Sequence, residues 1–449
     1  MAYQIQTPCG PIQGTDCSLD GVIAYKGIRY AVAGRWEYPK VVAGWQGVYD
    51  ATRFGSCCWQ SDAFRTEEEL QKGFYHNEFR KDLAVTYSED CLFLNIWTPA
   101  SARPGAKLPV LVYIHGGAFQ GGHGHEKPFV DPVWPTRGVI AVTLNYRVGP
   151  LGFACFDADG HRGNYGLYDQ VAALQWLRKN ISAFGGDPGK ITLMGQSAGA
   201  MSVQYLCLSP MVEGMFSRAV MVSGGGALKC FGLTPAKKQR AFWKKVMAKA
   251  GCEDPEQLKA LDVKELFAAW EGCRKGRLLW NGCSPCVDDK LIVDDPIELI
   301  RDGLYPNMPY MIGTTGRDMV RLPLAKAARR YCAEQARQGR RSSFVWFFDR
   351  KLPGDKKGAW HSSDPWYWFG TLANCWRPMT DKDRELSDQM VSYLTNFARC
   401  GDPNGSPLPM WEASRPTSRR VLHLGEKPTR MAPVNGLRLR LSSIFHKVP

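Results

Sequence analysis

Residues 190–206 read "KITLMGQSAGAMSVQYL". An apolar, partly β-branched run enters Gly195. Ser197 then sits among small residues in a G-x-S-x-G pattern over 195–199. In such an elbow the serine occupies a tight turn between a strand and a helix. Small residues two before and two after it let the backbone bend without side-chain clashes. "ITLM" reads as the strand and "AGAMSVQYL" as the helix, so the context agrees with the motif. A Gly-rich turn that merely contains a serine is the competing reading, and the partners Ser197 needs decide between them.

The same alternation recurs along the chain. "KLPVLVYIHGG", "GVIAVTLNYR", "SRAVMVSGGG", "MPYMIGTTG" and "SSFVWFFDR" are short apolar runs ending in turn residues. They lack a polar face, as expected of strands buried on both sides. Between them, residues 164–186, 197–210 and 386–405 read as helices, the first ending at a Gly pair and the last at a Gly-Asp-Pro stop. Strand and helix in alternation predict α/β architecture with a central, mostly parallel sheet flanked by helices. Repeats and low-complexity linkers are absent, so residues 1–449 read as one large domain with inserted loops and helices.

Composition narrows the classes. With 44% hydrophobic residues, the chain can bury a large core. It has no apolar run of 18 or more residues, so no membrane span is expected. The first residues lack the basic and apolar regions of an export signal, which predicts a cytoplasmic protein. Fifteen cysteines are an odd number, and a secreted disulfide scaffold does not fit them. "CSPC" at 283–286 has no second ligand pair at zinc spacing, and a redox pair is its other reading. Net charge is +14, concentrated in residues 317–357, where twelve Lys or Arg face four Asp or Glu. No nucleic-acid-binding motif accompanies that run, and a solvated helix face is its simplest home.

A nucleophilic serine needs a base and donors for the oxyanion. "YIHGGAF" at 113–119 ends another apolar run and has the form of an HGG-type oxyanion loop. Gly117 and Ala118 leave their N–H groups approachable. The N–H of Ala198, beside the nucleophile, is the third candidate donor.

With these residues in hand, the chain resembles the type-B carboxylesterase and cholinesterase family of α/β-hydrolases, its short bacterial members in particular. The resemblance rests on "SEDCLFLNIWTP" (88–99), "LPVLVYIHGGAF" (108–119), "VTLNYRVGPLGF" (142–153), residues 163–188 and "GQSAGAMSV" (195–203). It continues through "SRAVMVSGG", "MIGTTGRD", "GAWHSSD" and "NFARCGDPNG", in the family's order. It implies an α/β-hydrolase fold and the triad order serine, acid, histidine, hence Ser197, Asp318 and His361. Asp288, Asp289, Asp294 and Asp295 also lie between serine and histidine, but their stretch resembles a structural loop. His76, His115, His123 and His125 precede the serine, and His423 and His446 fall outside any matching motif.

The resemblance further implies a small-molecule ester substrate of small to medium acyl size, cleaved through an acyl-enzyme without metal or organic cofactor. A thioesterase or feruloyl-type esterase uses the same triad, and a non-catalytic adhesion member of the fold is the reading of another class. Oligomeric state is not legible. Departures from the family are also visible. Gln196 stands where many relatives have glutamate. Arg35 and Glu89 match a tethering ion pair, although two unrelated surface charges fit equally. Cys58 and Cys91 match a disulfide of secreted relatives and would be neighbouring thiols in a reducing compartment. Only 43 positions separate Asp318 from His361, which implies a reduced helical cap. Basic side chains of 317–357 that faced the mouth would attract anionic substrates. Trp366, Tyr367, Trp368 and Phe369 either wall an acyl pocket or form a buried helix face.

Overall fold

The computed structural model describes residues 3–156, 163–226, 233–274, 282–319 and 321–434; His446 lies outside them. The central strands are β1 (Tyr3–Thr7), β2 (Gly10–Asp16), β3 (Val22–Arg29), β4 (Phe93–Pro99), β5 (Leu108–Ile114) and β6 (Ile140–Leu144). They continue with β7 (Gly186–Gln196), β8 (Arg218–Val222), β9 (Tyr310–Thr315), β10 (Ser343–Phe348), β11 (Arg420–Leu424) and β12 (Arg430–Pro433). Their order in the sheet is β1-β2-β3-β4-β6-β5-β7-β8-β9-β10-β11-β12, and Tyr49–Asp50 adds a short strand beside β2. From β6 to β11 every pairing is parallel. Antiparallel strands close both ends, so the sheet is mixed, with the parallel centre that the sequence predicts.

The apolar runs are unbroken because the sheet has a core on each face. In β5, Val110, Val112 and Ile114 join one core while Leu111 and Tyr113 join the other. The first core takes in α1 (Tyr165–Asn180) and α2 (Ala198–Cys207), through residues such as Val171, Leu174, Val203 and Leu206. The second takes in α4 (Asp381–Cys400), through Leu386, Met390, Leu394 and Phe397. This is the α/β-hydrolase layering, with helices on both sides of the sheet.

The short helix Pro365–Phe369 belongs to the second core. Trp366, Tyr367, Trp368 and Phe369 are all 0% exposed. Trp134 Nε1 donates to the Trp368 carbonyl at 2.7 Å, and Phe369 packs edge-on against Tyr113 at 4.8 Å between centroids. The buried-face reading of this aromatic run is the one the fold adopts, and these rings do not wall a substrate pocket.

Between β9 and His361 the described chain contains one helix, α3 (Arg321–Arg337), and β10. α3 buries Ala327, Ala328 and Tyr331 and turns Lys326 and Arg330 to solvent. Other charges of the basic run are structural. Arg340 donates to the carbonyls of Tyr305 and Gly303. Arg350 is held by Asp383 and Glu426. Among the described residues no helix is long and apolar enough to cross a membrane.

One buried ion pair ties the loop after β6 to α1. Arg147 donates from its backbone N–H and from Nε to Asp169 Oδ2 at 3.0 and 2.9 Å, and from Nη2 to Oδ1 at 2.7 Å. Both side chains are almost fully enclosed. Removing one partner leaves the other charge buried and unpaired, which costs about 3–5 kcal/mol. Arg147→Ala should therefore lose about that much stability in urea unfolding; a loss below about 1 kcal/mol would show that water reaches Asp169 without cost.

Candidate active site

Ser197 lies between the last residue of β7 and the first of α2, with φ 57° and ψ −122°. A serine rarely adopts this conformation, and the two flanking glycines make it attainable. A Cβ on Gly195 would lie 2.2 Å from the Gly199 carbonyl oxygen, and one on Gly199 would lie 2.1 Å from the Ile114 carbonyl oxygen. The turn is fastened by the Ser197 N–H, which donates to the Val222 carbonyl of β8 at 2.9 Å.

The residues expected to act together do meet. The Ser197 hydroxyl is 2.8 Å from His361 Nε2, and His361 Nδ1 is 2.6 Å from Asp318 Oδ1. Asp318 follows β9. Its Oδ2 accepts from the hydroxyls of Thr314 and Thr315 at 2.7 and 3.2 Å, and its Oδ1 accepts from the Met319 N–H at 2.8 Å. Thr314 and Thr315 are therefore positioning residues that the sequence reading missed; the hydroxyl pair just before the acid in "GTTGRD" was the available signal. Tyr75 is a second omission, and no local pattern marks it. Its hydroxyl donates to the His361 carbonyl at 3.3 Å from a helix 286 positions away.

Electrostatics follow from burial and pairing. Burial alone would raise the Asp318 carboxyl, but the facing His361 and the hydrogen bonds bring it down to about 2. Burial works against charge on His361 too, yet Asp318 outweighs it and raises the imidazole above its ordinary value. Asp364, buried and near Asp318, is pushed up to about 7 by burial first and by that negative charge second. The Asp318 contact orients the imidazole with Nδ1–H toward the carboxylate and the Nε2 lone pair toward the serine hydroxyl.

The competing carboxylates have other work. Asp288 Oδ1 accepts from the N–H groups of Leu291 and Ile292 at 2.9 and 3.0 Å. Asp295 caps the helix Pro296–Arg301. The loop 116–122 lies beside the elbow, where a Cβ on Gly116 would come within 2.7 Å of the Gln196 carbonyl oxygen. Gly117 has φ 108° and Ala118 φ 55°, and both are exposed. Arg35 and Glu89 pair, with Arg35 Nε 3.0 Å from Glu89 Oε2. The guanidinium also donates to the carbonyls of Lys259 and Leu261, so the pair is a tether rather than two surface charges. Cys58 and Cys91 are buried, neighbouring free thiols. Cys286 hydrogen-bonds with Cys155, a thiol outside the C-x-x-C motif.

The carboxylesterase family model matches residues 2–325 and 319–438. The chain belongs to the carboxylesterase family. The two matched stretches meet at 319–325, where the short connection from Asp318 to His361 begins. The para-nitrobenzyl esterase of Bacillus subtilis is 36% identical over 329 residues, 70% of this chain and 63% of that enzyme's length. The bile salt-activated lipase of Mus musculus is 30% identical over 505 residues, covering 90% of this chain and 80% of the lipase. A solved PNB esterase structure superposes with a TM-score of 0.85 at 26% identity, over 98% of this chain and 99% of its own.

Gln196 also reaches the site. Its Nε2 lies 3.3 Å from His361 Nε2, beside the serine hydroxyl. Gln196→Glu would put a carboxylate there and favour the imidazolium. The acid-side pH limb of Ser197 modification by an organophosphate should move up by about one unit or more. An unmoved limb would mean that position 196 does not influence the base.

Proposed function

We propose that the protein is a serine carboxylic-ester hydrolase acting through an acyl-enzyme on small to medium acyl esters. The observation that carries this is the unbroken contact from Ser197 Oγ to His361 Nε2 and from His361 Nδ1 to Asp318. A non-catalytic member of the fold has no need of that chain of contacts.

His361 accepts the Ser197 proton as Oγ attacks the ester carbonyl carbon. Asp318 keeps the imidazole in the useful tautomer and stabilises the imidazolium. The carbonyl oxygen becomes an oxyanion, held by the N–H groups of Gly117, Ala118 and Ala198. Collapse of the tetrahedral intermediate expels the alcohol, protonated by His361. Water, deprotonated by His361, then attacks the acyl-enzyme, and Ser197 leaves with the proton. All steps use this chain's own residues and water. The free thiols of Cys58 and Cys91 support a reducing compartment such as the cytoplasm.

Steady-state hydrolysis of p-nitrophenyl esters of graded chain length tests the assignment. Ser197→Ala should abolish turnover and organophosphate labelling. Asp318→Asn should lower kcat by roughly four orders of magnitude with the fold intact, the scale found when a triad acid is neutralised. Near-normal turnover in either variant would remove that residue from the mechanism. Acyl thioesters and feruloyl esters in the same panel assign the acyl class.

For the acidic arm, the sign of the His361 shift is decisive. Its neutral form is the base, and pairing with Asp318 raises its folded value. Activity should therefore fall as pH drops through a value above the ordinary ~6.5 of histidine. A kcat/KM profile flat down to pH ~5.5 would exclude His361 as the base.

A further inference from the structure

Just beyond the oxyanion loop the chain reads His123-Gly124-His125. Both imidazoles turn inward and meet Cys57, which arrives from the short strand Cys57–Cys58. All three residues are buried, and one ligand atom from each lies within 4.8 Å of the others. Cys57 Sγ is 3.4 Å from His125 Nε2, and the two rings are 4.4 Å apart between centroids. Among the described residues neither nitrogen of His123 has a hydrogen-bond partner, nor has Nδ1 of His125. His123 is 1% exposed. A buried polar atom left without a partner is costly, and a ring buried with neither nitrogen paired, beside a thiol and a second imidazole, calls for a missing ligand.

We infer that Cys57, His123 and His125 form a binding site for a thiolate-preferring d10 metal ion, with zinc the fitting member. Zinc bonds of about 2.3 Å to sulfur and 2.0–2.1 Å to nitrogen place tetrahedral S and N ligands roughly 3.6 Å apart, close to the Cys57–His125 separation. One thiolate and two imidazoles suit zinc and exclude the hard, oxygen-seeking cations. Three protein ligands leave a fourth position for water or an anion. A metal ion takes cysteine as the thiolate, so binding releases the Cys57 proton as the metal–sulfur bond forms.

The surroundings hold the three side chains in place. Asn145 accepts from the Gly124 N–H at 2.8 Å and donates to the Ser56 carbonyl at 3.0 Å, joining the two ligand segments. A Cβ on Gly124 would lie 2.7 Å from the Leu144 carbonyl oxygen, so only glycine lets both histidines face one point. Phe54 stacks on His125 at 4.6 Å. The nearby Arg80 cation is balanced by Glu126 and Asp62, at 2.7 Å each. The ion would anchor the far end of loop 116–122. The site stands whatever reaction Ser197 performs.

The test is binding, not activity. Full-length protein stripped with a chelator is titrated with Zn2+ against a chromogenic chelator, and separately with Co2+. We expect one equivalent to bind, and cobalt to show thiolate-to-metal charge-transfer absorption. Cys57→Ser should abolish that band. Cys57→Ser and His123→Gln should each weaken zinc binding by at least about a hundredfold, more than the loss of an outer-sphere partner alone. Cys283→Ser should change nothing. X-ray absorption of the wild-type zinc protein should show one sulfur with nitrogen neighbours, and it decides the matter even where a variant fails to fold. No stoichiometric zinc at micromolar concentration, binding indifferent to the variants, or a shell with no sulfur or several would overturn the site.

Discussion

The backbone at Ser197 is the constraint on which the rest of the molecule turns. The serine occupies a conformation that costs of order 1–3 kcal/mol, and it holds because β7 and α2 are each locked into a buried core. The strand cannot slip, since its neighbours β5 and β8 are parallel and enclosed on both faces. The helix cannot retreat, since Gly199 already touches the end of β5. Strain at the nucleophile is thus held by packing distributed over the whole sheet. The same close approach brings loop 116–122 against Gln196, so Ser197 and the proposed oxyanion donors share one junction.

The acid and base are placed by different means. Asp318 is enclosed, yet its carboxylate keeps its charge because hydroxyl and amide donors and His361 surround it. Its lowered value means a stabilising contribution present above the ordinary ~3.9 and lost as pH falls through about 2. His361 has the opposite sign. Its raised value contributes stability fully below ~6.5 that fades as pH rises through the folded value. The proposed base is the neutral imidazole, so in that mechanism the site works on the side of the titration where this stabilising charge has been given up.

Much of this was legible in the sequence because it is local. An unbroken apolar run states that both faces of a strand are covered, and G-x-S-x-G states a turn. Family resemblance supplied the long-range members, Asp318 and His361, which no spacing could join. What stayed hidden depends on convergence. Thr314 and Thr315 read as ordinary strand residues until the turn after β9 folds Asp318 back onto them. The aromatic run 366–369 fits a pocket wall or a core equally well, and only its neighbours Tyr113, Phe129 and Trp134 decide. Of the charge of 317–357, Arg340 and Arg350 are committed to carbonyls and carboxylates while Lys326 and Arg330 face solvent, a division that composition alone does not state.

His123 and His125 show the same limit from the other side. Sequence order sets them aside as histidines that precede Ser197, and the expectation of no metal ion comes from the family resemblance. Cys57 lies 68 positions from His125, so no spacing rule could pair them. The fold gives their meeting a mechanical sense. Loop 116–122 carries Gly117, Ala118 and Phe119 at positive φ, a run that relaxes unless both ends are fixed. The end at His115 is fixed by β5 and by the Tyr146 hydroxyl, which donates to the His115 carbonyl at 2.9 Å. At the other end the backbone has the Gln60 contact to Gly122 and the Asn145 contact to Gly124, while the His123 ring has no hydrogen-bond partner among the described residues and His125 reaches only Cys57. A metal ion bound by one nitrogen of each ring and by Cys57 would pin that end.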